Sequence, residues 1–135
     1  MIEWLSSLPG IGAFFAVVLR YEIDDIHRFP TPKKLASYVG LVPSTYQSGN
    51  RCFHGRLTKQ GNKLLRWAMI EAVTPAVRSS PYFRRYYERI NRSSGTGDAR
   101  VSTARRLLEL AWIVWTECRC YEERKRIAKG TGLPS

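Results

Sequence analysis

The chain has 135 residues and a formal net charge of +11, because 22 lysines and arginines outnumber 11 aspartates and glutamates. This length suits one domain with a modest core, and an apolar fraction of 44% excludes a chain too polar to fold. The charge indicates nucleic acid as the partner. The longest apolar run, Ala13 to Leu19, is far shorter than the roughly 20 residues that cross a bilayer, so we expect no membrane partner.

The first predicted elements are a short helix over Ile2 to Leu8, a Pro-Gly-Ile-Gly turn, and an apolar helix over Ala13 to Leu19. This order is a helix-hairpin-helix pattern. Gly10 and Gly12 permit a tight turn and leave backbone N–H groups at the start of the second helix, where they can face a phosphate. A plain helical hairpin that packs a core explains the same residues, and the motif alone does not separate the two interpretations.

A connection from Tyr21 to Pro32 follows, and its acidic residues are interpreted as solvated loop positions: Glu22, Asp24 and Asp25. Thr31 is a suitable N-cap for a helix with Pro32 at its first position. The next helix, Lys33 to Tyr38, is expected to turn its lysines outward and to end at Gly40.

From Leu41 to Leu57 no helical period is present, and prolines, glycines and asparagine predict a long irregular loop. No acidic residue occurs between Ile26 and Ile70, whereas basic residues recur throughout. Such a surface attracts phosphate. Phosphate contacts are therefore assigned to Gly10, Gly12, Gly49, Arg51, Arg56, Lys59, Lys63 and Arg66.

After a turn over Thr58 to Gly61, apolar spacing predicts a helix from Asn62 to Val73, whose early cations oppose the helix dipole unless an anion binds there. Pro75 is expected to interrupt or kink it. Ser80 and Pro81 start another helix, whose aromatic stripe is interpreted as core and whose arginines face outward. A flexible link is then predicted over Asn91 to Ala99. The last predicted element is a long helix over Arg100 to Arg126.

Together these elements predict an all-α fold, a compact bundle of about five helices around one long irregular loop that carries the site. The domain is expected to span residues 1–129, with a disordered tail at 130–135. The apolar stripe from Val101 to Cys118, with Trp112 and Trp115, offers a surface on which a second copy could pair.

The three cysteines, Cys52, Cys118 and Cys120, are an odd number in a basic chain whose first residues lack the features of a signal peptide. This predicts reduced thiols in a cytoplasmic protein. One residue separates Cys118 from Cys120, which is poor spacing for a metal, and the two histidines do not complete a site. We expect no metal or other cofactor in this chain.

Three motifs, taken together, carry a resemblance to a known family. They are L-x-x-L-P-G-I-G, then R-F-P-x-x-K-K-L-A-x-Y-x-G-L-V-P, then Q-S-G-x-x-x-x-x-G-R-L-T-K-Q-G-N-K-x-L-R-W. The chain from Trp4 to about Tyr121 resembles the C-terminal domain of IS110-type insertion-sequence transposases.

The resemblance implies a DNA recombinase that is guided by a structured bridge RNA and acts as an oligomer. In this family a RuvC-like domain with metal-binding acidic residues precedes the matched domain. We find neither the RuvC-like domain nor its acidic residues in this chain. We therefore expect a C-terminal fragment or truncated copy that binds nucleic acid but does not recombine it alone. The family's serine nucleophile, which forms a 5′-phosphoserine link to DNA, matches Ser48, with Ser44 of the same loop as the second choice.

Other interpretations of these residues stay open. Ser48 is also a suitable turn residue before Gly49. His54 is close enough in sequence to activate a serine, yet nothing in the sequence brings it to Ser48, and a structural or phosphate-contacting role is preferred. The competing function is a non-catalytic helix-hairpin-helix module that binds DNA or RNA backbones.

Overall fold

The computed structural model describes residues 2–41 and 60–122. Within these two ranges the chain forms six α-helices and one 3-10 turn, with no strand, which confirms the predicted all-α class. The helices are α1 (Ile2–Ser6), α2 (Ala13–Ile23), α3 (Pro32–Val39), α4 (Gln60–Ser79), α5 (Pro81–Ser94) and α6 (Thr96–Glu117), and the 3-10 turn is Ile26–Arg28. No helix in the described ranges is both long enough and apolar enough to cross a membrane.

Helix α6 lies at the centre of the bundle and contacts α1, α3, α4 and α5. Its apolar stripe faces these neighbours, and Trp115 at its end is only 6% exposed. Trp112 is half-buried, and its indole N–H donates to the Phe29 carbonyl at 2.8 Å. The predicted pairing surface for a second copy is therefore wrong, because this stripe is already occupied by the core of its own chain.

Local capping signals predicted the start of two helices correctly. The Thr31 hydroxyl accepts a hydrogen bond from the Lys34 N–H at 3.2 Å, and the Ser80 hydroxyl accepts one from the Phe83 N–H at 3.2 Å. Helix α3 ends at Gly40 in the left-handed conformation, as predicted. These caps depend only on neighbours in sequence, which is why sequence patterns identify them.

Of the two outcomes predicted at Pro75, interruption of the helix is wrong, since α4 continues to Ser79, and a kink stays a prediction. Proline removes one backbone N–H, but buried residues on both sides keep this segment in place: Ala72, Val73 and Ala76. Packing of α4 against the other helices of the bundle outweighs the local preference against proline. Helix α2 similarly extends past Leu19 to Ile23, which buries one further core residue, Ile23.

The flexible link predicted over Asn91 to Ala99 is also wrong, because α5 and α6 are separated by Gly95 alone. Gly95 has a φ of 98°, which side chains rarely tolerate, and this single residue reverses the chain. Helix α6 then ends at Glu117 rather than Arg126, where Cys118 adopts the left-handed conformation. Cys118 and Cys120 are free thiols.

A charged cluster joins α5 to α6. Glu109 accepts hydrogen bonds from Arg105 at 3.2 Å and from Arg106 at 3.4 Å, and the Arg106 Nε donates to the Tyr82 hydroxyl at 3.0 Å. Burial alone would lower the pKa of Arg106, but its bonds to Tyr82 and Glu109 raise the pKa above its ordinary value. The side chain of Glu109 is only 17% exposed.

We expect Glu109→Gln to lower the free energy of unfolding by about 2 kcal/mol, because it leaves two partly buried arginines without their carboxylate. Urea unfolding measures this loss. Glu117→Gln is the matched control, since the Glu117–Arg119 pair is about half exposed and contributes less than about 1 kcal/mol. Equal losses in the two variants would contradict the prediction.

Candidate nucleic-acid interface

The structure places only part of the predicted site. Five of the predicted residues fall within 42–59, outside the described ranges, and they are Ser48, Gly49, Arg51, Arg56 and Lys59. The alternatives Ser44 and His54 fall in the same range. Four lie inside the described ranges, and their positions are Gly10 and Gly12 in the first turn and Lys63 and Arg66 on α4.

Helices α3 and α4 flank the predicted site loop, and they are held together at this point. The Arg66 Nη1 donates a hydrogen bond to the Val39 carbonyl at the end of α3, at 3.2 Å. This carbonyl belongs to the last turn of α3, where it lacks a partner within the helix, and a cation is favourable there. The two helices on either side of residues 42–59 are therefore in contact with each other.

The two cations of α4 differ in their surroundings. Lys63 is exposed in the first turn of the described helix, whereas Arg66 is half-buried and bonded to α3. An exposed amine at a helix N-terminus can meet a phosphate without breaking any contact shown by the structure. Arg66 has a structural role in addition to any contact with phosphate, and the sequence pattern did not reveal that role.

The two predicted turn glycines also differ. Gly10 has a φ of 81°, and a Cβ added to it would lie 2.5 Å from the Ala72 carbonyl oxygen and 2.9 Å from the Ala76 Cβ. It therefore serves close packing between the turn and α4. Gly12 is exposed at the N-cap of α2, with no atom within 4 Å of an added Cβ, and is open to an approaching group.

Helix α5 presents a second basic surface, which the site assignment did not include. Its aromatic residues Tyr82, Phe83 and Tyr86 are buried, which confirms their prediction as core. Burial raises the pKa of Tyr86. The opposite face is lined by exposed arginines, namely Arg84, Arg85, Arg89 and Arg92. The same helical spacing that places the aromatic residues on the buried face also places the arginines on the opposite, polar face, so the sequence contained the signal for this surface.

No group of three His, Cys, Asp or Glu side chains gathers at metal-binding distance within residues 2–41 and 60–122. The acidic residues near the 3-10 turn have local roles there. Asp25 accepts a hydrogen bond from the His27 backbone N–H at 3.0 Å, and this bond lowers the pKa of Asp25. The chemistry that the described basic residues offer is the binding of anions by arginine, lysine and backbone N–H groups.

Known proteins similar to this chain are named for insertion elements, transposition and gene inversion. An uncharacterized 43.6 kDa protein of insertion element IS110 from Streptomyces coelicolor is 32% identical over 121 residues, which cover 89% of this chain and 30% of that protein. A pilin gene-inverting protein of Moraxella bovis is 30% identical over 123 residues, or 89% of this chain and 38% of that protein. The transposase of insertion element IS1111A from Coxiella burnetii is 32% identical over 74 residues, which cover 55% of this chain and 20% of that protein.

The chain thus spans about a third of the length of the first two relatives. No solved structure matches the chain significantly. The model of the IS116/IS110/IS902 transposase family matches residues 2–88, which include α1 to α4, most of α5 and the whole predicted site loop. From this match over more than half of its length, the chain belongs to the IS116/IS110/IS902 family of transposases.

Proposed function

We propose that this chain is the serine-nucleophile domain of an insertion-sequence transposase, which cleaves and exchanges DNA strands through a phosphoserine intermediate. The observation that carries the proposal is the family match across the Gln-Ser-Gly segment and the basic start of α4. Relatives named as a transposase and as a gene-inverting protein support DNA recombination as the activity.

The proposed step is attack of the Ser48 hydroxyl on a DNA phosphodiester. A bond forms between Oγ and phosphorus, the bond from phosphorus to the 3′ oxygen breaks, and the departing oxygen takes up a proton while the serine loses its own. The 5′ phosphate remains on Ser48, so the phosphoester can be passed to a second DNA strand. Arg51, Arg56, Lys59 and Lys63 would neutralise the charge that builds on the attacked phosphate.

In the proposed assembly this domain acts together with a RuvC-like domain, and the family resemblance assigns the divalent metal to that domain. A guide RNA and a second copy of the protein complete the proposed assembly, since recombination brings two DNA partners together. We infer the guide RNA and the second copy from the family resemblance.

A covalent adduct tests the proposal. The chain is joined to the RuvC-like domain of a relative, mixed with guide RNA and a labelled target DNA, and analysed on a denaturing gel. We expect a DNA label that migrates with the protein and is released by protease treatment. Under conditions in which an intact relative forms an adduct, its absence here would contradict a catalytic role.

That negative result would favour the alternative, a non-catalytic helix-hairpin-helix module. The exposed N-cap Gly12 favours this second function, because backbone N–H groups of α2 are open to a phosphate there. Such a module would bind duplex DNA and RNA without base preference and with a steep dependence on salt.

We expect substitutions of Lys63 and Arg66 to affect different properties, DNA binding for Lys63 and stability for Arg66. Lys63→Gln should reduce the slope of log K against log salt for duplex DNA by about 0.9, which corresponds to one lost phosphate contact. It should leave unfolding unchanged within about 0.5 kcal/mol. Arg66→Gln should instead lower stability by about 1 kcal/mol, because it removes the bond to Val39.

Fluorescence anisotropy at salt concentrations from about 50 to about 200 mM measures the slope. Urea unfolding measures stability. A Lys63→Gln protein with an unchanged slope would exclude that residue from the phosphate contacts. A loss of stability in Lys63→Gln equal to that in Arg66→Gln would contradict the separate roles.

A further inference from the structure

All of the large, strongly exposed apolar side chains in the described ranges lie on two neighbouring helices. They are Phe14, Val17 and Tyr21 on α2 and Leu64 and Trp67 on α4. Tyr21 is 72% exposed, Phe14 64% and Trp67 47%, whereas Tyr82, Phe83 and Tyr86 of α5 are buried. Single exposed apolar residues are ordinary, but a group confined to one surface marks a binding site.

Ring contacts through Phe15 connect the exposed side chains of α2 with those of α4. On α2, Phe14, Val17 and Tyr21 are three or four positions apart and share a face. The Phe14 ring lies 5.4 Å from the Phe15 ring, and the Phe15 ring lies 5.9 Å from the Trp67 ring in an edge-to-face arrangement. We name these residues the α2–α4 strip, which consists of Phe14, Phe15, Val17, Tyr21, Leu64 and Trp67.

Two cations lie next to the aromatic rings of the strip, among acidic residues of the same two helices. Lys63 is exposed one turn before Trp67, and the Arg20 guanidinium lies over the Tyr21 ring at 5.5 Å from its centre. Arg20 also lies 3.9 Å from Asp24, but this exposed pair is weak and screened by salt. Glu71 is the only acidic residue of α4, one turn beyond Trp67. Aromatic rings next to cations are the surface that binds the bases and backbone of a single strand.

We propose that the α2–α4 strip binds single-stranded DNA, with unpaired bases stacked on Phe14, Tyr21 and Trp67 and the adjacent backbone held by Lys63. The inference rests on the proposed function, because strand cleavage and exchange release unpaired bases. Trp67 lies on the helix that directly follows the predicted site loop, about one turn from Lys63. A strand separated at Ser48 would therefore have an aromatic surface on the same helix.

The experiment uses the 135-residue chain and a fluorescein-labelled oligothymidine, with binding followed by anisotropy. Phe14→Leu, Tyr21→Leu and Trp67→Leu keep apolar area but remove the aromatic face. We expect each to weaken binding of the single strand by about 5- to 100-fold, which corresponds to one lost stacking contact. Binding of a duplex of equal length, and the salt slope for both ligands, should change little, because no phosphate contact is removed.

Leu64→Ala and Val17→Ala are the matched controls, since they remove exposed aliphatic area from the same strip. We expect them to weaken single-strand binding clearly less than the aromatic variants do, because they contribute apolar contact area but no stacking face. Phe14 and Tyr21 are mostly exposed, so their variants should keep the unfolding midpoint of the parent chain. Their binding remains interpretable even if Trp67→Leu proves less stable.

Each outcome supports or overturns the inference. Unchanged single-strand affinity in the three aromatic variants, with duplex binding intact, overturns it and leaves the proposed function standing. Equal losses in the aromatic and aliphatic variants indicate an apolar protein partner and also overturn it. A matching RNA strand bound more tightly than DNA, with the same aromatic dependence, overturns the choice of DNA. Failure to bind any nucleic acid contradicts the proposed function itself.

Discussion

Ser48→Ala, in a full-length transposase carrying this domain, is expected to reduce strand cleavage by about 10⁴-fold or more and to remove the covalent adduct. Alanine lacks the oxygen that would bond to phosphorus, and loss of a covalent nucleophile is among the largest effects of a single substitution. Quantitative gel analysis of adduct and cleaved strand, under single-turnover conditions, measures the change.

Ser44→Ala is the matched control, because it removes a second hydroxyl from the same predicted loop. We expect it to retain cleavage within about tenfold, and both variants should bind duplex DNA like the parent, since neither removes a charge. Activity that survives Ser48→Ala but is lost in Ser44→Ala would transfer the nucleophile to Ser44. Activity that survives both would exclude a serine nucleophile in this segment.

Gly10→Ala is expected to have the second large effect, a loss of about 2 to 4 kcal/mol in the free energy of unfolding. The backbone there has a φ of 81°, which alone costs a non-glycine residue about 1 to 2 kcal/mol. The added methyl group would also lie 2.5 Å from the Ala72 carbonyl oxygen, so that α4 or the turn must move. Overpacking of this kind adds about 1 to 3 kcal/mol.

Urea unfolding followed by far-UV circular dichroism measures this loss, and Gly12→Ala is the control. Gly12 has a φ of −88° and open space around it, so its substitution should cost about 1 kcal/mol or less, through the weaker N-cap alone. A stable Gly10→Ala variant that loses DNA binding would contradict the packing role and return Gly10 to the phosphate site.

Gly10 and Arg66 show why sequence reasoning assigned some roles only in part. Both were chosen for phosphate because glycine turns and basic residues are common in nucleic-acid sites. In the structure Gly10 packs on α4, and Arg66 bonds to the end of α3. Each role depends on a residue at least 27 positions away, and no local pattern contains that information.

The α2–α4 strip illustrates the same limit for exposed residues. Phe14 and Phe15 are adjacent in a run of apolar residues, and their sequence does not distinguish them. Phe15 packs against the core and contacts Trp67, whereas Phe14 is 64% exposed. Helical period relates their directions to each other, but the position of α4 decides which of the two is covered.

The sequence by itself determined the local and collective properties of this protein: its helical class, the caps at Thr31 and Ser80, the buried face of α5, its positive charge and its family. Each of these properties depends on residues close together in sequence or on the composition and motifs of the whole chain. Only the tertiary structure decided that α4 continues through Pro75, that Gly10 must remain small, and which aromatic rings stay exposed. The physical reason is that burial against distant helices contributes more free energy than local preference and can reverse it.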